Sequence, residues 1–125
     1  MFAALCDDDK YITEEIKKLL LEYAKDNRIT IDIDEFESGE ELLNSEKNYD
    51  IIVLDYQLGS TNGLTVAKEL RKRNVLSSII FLTSYPNFMI DAFEVNTFRF
   101  LLKPIDKSKF FKAIDDYIKI VDANY

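Results

Sequence analysis

Four polar clusters in this chain each follow directly on a short apolar run. Asp7-Asp8-Asp9 follow Phe2 to Cys6, Asp55 follows Ile51-Ile52-Val53-Leu54, Thr83-Ser84 follow Ile79-Ile80-Phe81-Leu82, and Lys103-Pro104 follow Phe98 to Leu102. Carboxylates gathered in one place repel one another and hold on to protons unless a cation neutralises them. The chain has no histidine and a single cysteine, so the donors on offer are hard oxygens. These suit Mg²⁺, which takes one or two carboxylates and keeps waters for a phosphate ligand. Lys103 adds a point positive charge and Thr83 a hydroxyl donor, both matched to phosphoryl oxygens. Asp55 then qualifies as a nucleophile, because an aspartate carboxylate can carry phosphate as an acyl phosphate. Such a transfer asks for positioning and charge neutralisation more than for covalent assistance. Each residue alone also has an ordinary reading: aspartates after strands cap helices or form turns, an Asp run is solvated, and a lysine sits on the surface. The five matched positions Asp7, Asp8, Asp55, Thr83 and Lys103, taken together over four runs, carry the functional one.

The elements that must position these residues follow from periodicity. Besides the four runs above, Ile29 to Phe36 alternates apolar and polar residues and predicts a half-exposed strand. The runs at 51–54 and 79–82 are continuously apolar, as parallel strands covered on both faces are. Between strands, Ile12, Ile16, Leu19, Leu20 and Tyr23 lie on one helical face with Glu14, Glu15, Lys17 and Lys18 opposite. Ser38 and Glu41 have the spacing of a capping box for a short helix carrying Leu42 and Leu43. Leu64, Ala67 and Leu70 mark a third helix, Phe88, Ala92 and Phe93 a fourth after Pro86, and Phe110 to Val121 a fifth. Strand and helix alternate five times in 125 residues, a length expected of a single domain. The expectation is an α/β domain over 1–125, a (βα)5 doubly wound parallel sheet of strand order 2-1-3-4-5. In such sheets ligands bind beyond the carboxyl ends of the strands, which is where the polar clusters fall.

Composition sets the outer bounds. Apolar residues make up 47% and charged residues 31%, enough for a core. The net charge of −7 repels phosphate backbones, so this chain by itself is not expected to bind nucleic acid. The missing histidine excludes Ser-His and Cys-His catalysis, His-ligated zinc and any phosphohistidine carrier role. Cys6 lies inside an apolar run with no partner for a disulfide, the N-terminus lacks a basic leader, and no apolar run approaches the ~20 residues that span a bilayer. A cytoplasmic protein without membrane contact is expected.

Over essentially its whole length the chain resembles the receiver domain of bacterial two-component response regulators, a flavodoxin-like fold. Leu5-Cys6-Asp7-Asp8-Asp9 resembles the family's acidic pair, Val53-Leu54-Asp55 its phosphoacceptor, Thr83 its hydroxyl residue and Leu102-Lys103-Pro104 its lysine. The resemblance implies phosphorylation at Asp55 by a sensor histidine kinase. It implies Mg²⁺ held by Asp7, Asp8, Asp55 and the backbone carbonyl of Gln57, and phosphate contacts from Thr83, Ser84 and Lys103. It implies also a cis Lys103-Pro104 peptide, a switch pair of Thr83 and Phe100, and a kinase-docking helix bearing Tyr11, Ile12 and Glu15. Ala92-Phe93-Glu94-Val95-Asn96 and Phe100 to Ile105 are similar to receivers joined to a LytTR-type DNA-binding domain, so DNA contact and transcription regulation would reside in an output domain outside this chain. Homodimerisation on phosphorylation would follow from repacking of the face formed by helix four, strand five and helix five. The chain departs from the family pattern at Gly59 (commonly proline), Asn62 (commonly aspartate) and Phe100 (commonly tyrosine), while Gly63 is retained.

Three alternatives compete with this reading. A Mg²⁺-dependent aspartyl-phosphate phosphohydrolase would need a second aspartate where Gln57 stands. A flavin-binding module would need a Ser/Thr/Gly-rich loop where Asp7 to Asp9 stand. A degenerate receiver acting only as an interaction module would not need the complete acidic set. Most of the rings among Phe88, Phe93, Phe98, Phe110 and Phe111 are expected in the core, with Phe100 set apart as the switch.

Overall fold

The computed structural model describes residues 1–123. Five strands, β1 (Phe2–Cys6), β2 (Asp32–Phe36), β3 (Ile51–Asp55), β4 (Ser78–Thr83) and β5 (Arg99–Leu102), form one parallel sheet in the order β2-β1-β3-β4-β5. This is the expected doubly wound, flavodoxin-like arrangement. The register carries Leu5 opposite Val53, Asp55 opposite Leu82 and Thr83 opposite Leu102, so the carboxyl ends of the strands lie along one edge.

Side-chain alternation divides the core in two. Ala3, Leu5, Ile51, Val53, Ile80 and Leu82 face one way, toward α1 (Lys10–Asp26) and α5 (Lys107–Ala123), which add Ile16, Leu20, Tyr23, Phe110 and Ile114. Ala4, Cys6, Ile52, Leu54, Ile79 and Phe81 face α2 (Gly39–Asn44), α3 (Gly63–Lys72) and α4 (Met89–Ala92). Both faces of the central strands are therefore dry, which accounts for their unbroken apolar runs.

Local chemistry sets the helix starts. Asp9 caps α1 by accepting from the Tyr11 amide (2.9 Å), and Asn62 caps α3 by accepting from the Thr65 amide (2.9 Å). Ser38 caps α2 through the Glu41 amide (3.1 Å), while the Glu41 carboxylate reaches back to the Glu37 amide (3.1 Å). The expected capping box is thus closed one residue further out.

Two expectations are corrected. The second strand starts at Asp32 rather than Ile29, because the chain from Ile29 to Ile31 serves the helix end and the N-terminus: the Ile29 amide bonds to the Ala24 carbonyl and the terminal ammonium to the Thr30 carbonyl. The fourth helix is a single α turn, Met89–Ala92, between 3₁₀ turns at Pro86–Phe88 and Phe93–Val95. It buries Ala92 and Val95 and leaves Phe93 76% exposed, so that ring is not core. The segment is closed by Asn96 in the left-handed region (φ 54°), without side-chain caps.

Its far end is instead held from α3. The Arg71 guanidinium donates to the carbonyls of Val95 (2.8 Å), Asn96 (3.1 Å), Val75 (2.7 Å) and Ser77 (2.9 Å). Four carbonyls are thus served by one planar fork.

Asp55 is positioned by close packing behind it. Gly63 opens α3 and donates its amide to the Tyr56 carbonyl (2.6 Å). A Cβ there would run into the Asp55 carbonyl oxygen and press on Phe81 (3.0 Å) and the Tyr56 Cα (3.1 Å). Gly63→Ala is therefore expected to lower stability by about 1–3 kcal/mol through overpacking, read as a lower urea midpoint with an unchanged slope.

Candidate functional site

Each sheet strand that ends at the site delivers a polar side chain where its apolar run stops. Asp7 follows β1 and is buried, with its amide on the Phe36 carbonyl (3.2 Å) and its Oδ1 accepting from the Asp9 amide (2.9 Å). Asp8 beside it is exposed. Asp55 is the last residue of β3, buried, and accepts from the Gln57 amide (3.3 Å). Thr83 ends β4, buried, its Oγ1 accepting from the Tyr85 amide (3.2 Å), and Ser84 follows it in the open. Lys103 follows β5, with its amide on the Thr83 carbonyl (2.8 Å) and a cis peptide to Pro104.

The structure brings these groups together. Carboxylate oxygens of Asp7, Asp8 and Asp55 lie within 4.8 Å of one another. The Lys103 ammonium reaches both buried acids, at 3.3 Å from Asp7 Oδ2 and 3.4 Å from Asp55 Oδ1. Gln57 lies beyond them in a small hairpin, Gln57–Leu58 against Thr61–Asn62, whose turn contains Gly59 at φ 61°. Glycine, in place of the family's usual proline, permits that left-handed turn.

Electrostatics mark the site as short of positive charge. Burial first, and then the neighbouring Asp7, raise the Asp55 carboxyl to about 6 against the pull of Lys103 and the Gln57 amide. Burial likewise raises Asp7, although the Asp9 amide and Lys103 oppose it. Burial draws the Lys103 ammonium down, but Asp55 and Asp7 together outweigh it and leave it above the ordinary lysine value. The Cys6 thiol, bonded to the Ser38 carbonyl (3.4 Å), is pushed up to about 12 by burial and the nearby acids, so no thiolate is on offer. An oxygen-only donor set with unneutralised charge fits a hard divalent cation and does not fit zinc.

Residues 3–115 match the response regulator receiver domain family. The chain belongs to that family. Among curated proteins, it is 34% identical over 120 residues to the sensory transduction protein LytT of Bacillus cereus, covering 95% of this chain and 48% of that protein. It is 32% identical over 117 residues to the sensory transduction protein LytR of Staphylococcus epidermidis, covering 92% of this chain and 45% of the relative. The receiver therefore spans about half the length of the curated relatives it matches. Among solved structures, the Thermotoga maritima response regulator TrrA in complex with Mg²⁺ and beryllofluoride superposes with a TM-score of 0.80 at 28% identity, over 93% of this chain and 97% of that one. The response regulatory domain of mrkE from Klebsiella pneumoniae gives a TM-score of 0.86 over 98% and 99% of the two chains. At 21% identity the latter speaks for the fold alone.

Two residues, one beside the receiver's acidic pocket and one at the far end of α3, escaped the sequence reading. Tyr56 follows Asp55 and is buried, its ring stacked on Phe88 at 3.9 Å between centroids. Arg71 is one of three basic residues closing α3, a position where a solvated charge is the ordinary expectation. A tyrosine directly after the acidic strand end was the available signal for the first. Nothing in the spacing marks the second.

Because the folded protein raises the Asp55 carboxyl from 3.8 to about 6, ionising it works against folding: the stability it contributes is intact below the unfolded value and is lost as pH rises through about 6. Asp55→Asn is expected to melt higher than wild type in metal-free buffer at pH 7.5, with the gap closing as the pH falls toward 4. Calorimetry with a chelator present checks this, and a gap that is absent or widens on acidification contradicts it.

Proposed function

We propose that this receiver accepts a phosphoryl group on Asp55 from the phosphohistidine of a sensor histidine kinase. It thereby switches the face made by α4, β5 and α5 to control an output. The observation that carries the reading is the Lys103 ammonium held 3.3 and 3.4 Å from Asp7 and Asp55, at the only place among the described residues where three acids converge. These 125 residues contain no histidine, so the phosphohistidine lies outside them.

In the transfer, the P–N bond of the phosphohistidine breaks as a carboxylate oxygen of Asp55 forms a P–O bond, and the imidazole leaves with its electron pair. The carboxylates of Asp7, Asp8 and Asp55 and the Gln57 backbone carbonyl would hold Mg²⁺, which would neutralise part of the gathering negative charge. Lys103 pairs with phosphoryl oxygens, exchanging carboxylate partners for phosphate. The Thr83 hydroxyl donates to another oxygen, and exposed Ser84 leaves room for the donor and for the water that later hydrolyses the acyl phosphate. The domain is a phosphoacceptor that assists its own phosphorylation and dephosphorylation rather than an enzyme acting on a separate substrate.

The output side follows from what is exposed. Ile90 (77%), Phe93 (76%), Met89 and Leu102 present apolar surface on α4 and β5, which suits a contact that forms on phosphorylation, such as a homodimer. Phe100, half-buried on β5 against the α2–α4 core, has no hydroxyl to hold it in either rotamer and follows the space Thr83 vacates. Likeness to LytT and LytR supports a LytTR-type DNA-binding output and transcription regulation in the cytoplasm. None of the described helices is long and apolar enough to cross a membrane. Tyr11, 77% exposed near the start of α1 and beside the acidic pocket, suits the kinase-docking surface together with Ile12 and Glu15.

Incubation with Mg²⁺ and acetyl phosphate is expected to add one phosphoryl group to the intact mass of wild type and none to Asp55→Asn; equal gain in both would sink the assignment. Asp8→Asn is expected to weaken Mg²⁺ binding roughly tenfold, from loss of ~1.5 kcal/mol of interaction with a charged group. Titration calorimetry reads that change directly.

A further inference from the structure

The phosphate site has two neighbours in the chain that end on the same ring. Tyr56, next to Asp55, stacks on Phe88 with centroids 3.9 Å apart and planes 8° from parallel. Tyr85, two residues after Thr83, meets Phe88 edge-on at 5.9 Å and 74°. Tyr85 is tied to the site by its amide bond to Thr83 Oγ1 (3.2 Å), and Tyr56 by its amide on the Leu82 carbonyl (3.0 Å). The Tyr56 hydroxyl also donates to Asp91 Oδ2 (3.3 Å). Phe88 ends the 3₁₀ turn before α4 and Asp91 lies within α4, so Tyr56 grips the segment twice. The opposite end of the segment is anchored by Arg71 on the Val95 and Asn96 carbonyls, and the Thr97 hydroxyl donates to the Ala92 carbonyl (2.5 Å).

We propose that Tyr56 is a positioning residue that carries the chemical state of Asp55 to the α4 segment. Its ring stack on Phe88 and its bond to Asp91 are the movable hold, and the Arg71 clamp at Val95 and Asn96 is the pivot. The proposal rests on phosphorylation of Asp55. When Thr83 turns its hydroxyl toward a phosphoryl oxygen, the Tyr85 amide loses its acceptor and the 84–88 loop must repack. Phe88 is then displaced against the Tyr56 ring, whose backbone is pinned beside the modified carboxylate. Motion is concentrated at 85–92, because 93–97 is tied to α3. The route runs beside that of Phe100 and does not require it.

The test uses the whole chain with Mg²⁺ and beryllofluoride as the phosphoryl mimic, and reads amide hydrogen exchange at 85–97. In wild type, exchange at 85–92 is expected to change on adding the mimic while 93–97 stays nearly constant. In Tyr56→Leu the change at 85–92 is expected to be lost, although acetyl phosphate still modifies Asp55. Tyr56→Phe, which keeps the stack and removes only the hydroxyl, is expected to retain most of it. Coupling is reciprocal, so removing it also relieves the mimic of the work of moving α4, and Tyr56→Leu should bind beryllofluoride about fivefold tighter. That affinity decides the matter if the variant merely loosens the segment in both states, since a purely structural role would leave it unchanged. A Tyr56→Leu protein that responds and binds like wild type overturns the proposal and assigns the signal to Thr83 and Phe100 alone. A wild type that takes no phosphoryl group is a separate failure, of the assignment at Asp55 itself.

Discussion

The rest of the structure depends on an imbalance of charge: two buried carboxylates, Asp7 and Asp55, share one ammonium, Lys103. Removing ions from water is costly, and one cation cannot repay the desolvation of two anions. The raised Asp55 carboxyl is the measure of the deficit. A parallel sheet makes the imbalance possible, because it sends every strand end to the same edge and closes both faces against solvent. The deficit also explains why the site discriminates. Its unneutralised acids are hard oxygen donors, the kind that suit a divalent cation.

The two faces of the sheet are not equivalent. On one, two 17-residue helices, α1 and α5, pack over a continuous core. On the other, α2 and the α4 segment are short, and α4 has no side-chain caps. Local opening is expected where few buried contacts hold an element, and in this receiver that element is joined to the acidic pocket through Tyr56. The rigid face keeps the aspartates in register while the thin face is free to respond.

Much of this was readable from residues alone, for identifiable reasons. Strand order and site followed because β3 and β4 are continuously apolar and each run stops at a polar residue, signals that survive without tertiary information. The second strand was drawn too long because Ile29 and Ile31 continue the period-two pattern, although the Ile29 amide is claimed by the end of α1 and the Thr30 carbonyl by the N-terminal ammonium. Phe93, grouped with Phe88 and Ala92 on the fourth helix, is exposed because 3₁₀ turns flank the single α turn and give Val95 the inner position. Tyr56 was marked only by its place after Asp55 and Arg71 by nothing, because the partners that tie them to the α4 segment, Asp91, Val95 and Asn96, lie 24 to 35 residues away, and no local pattern encodes a meeting at that separation.

The Arg71 clamp has an evolutionary consequence. Every one of its acceptors is a peptide carbonyl, so it recognises the path of the chain and not the side chains along it. Substitutions at positions 75, 77 and 95 leave those oxygens in place. The neighbouring exposed positions, Ile90 and Phe93 among them, can therefore vary without disturbing the clamp beneath them.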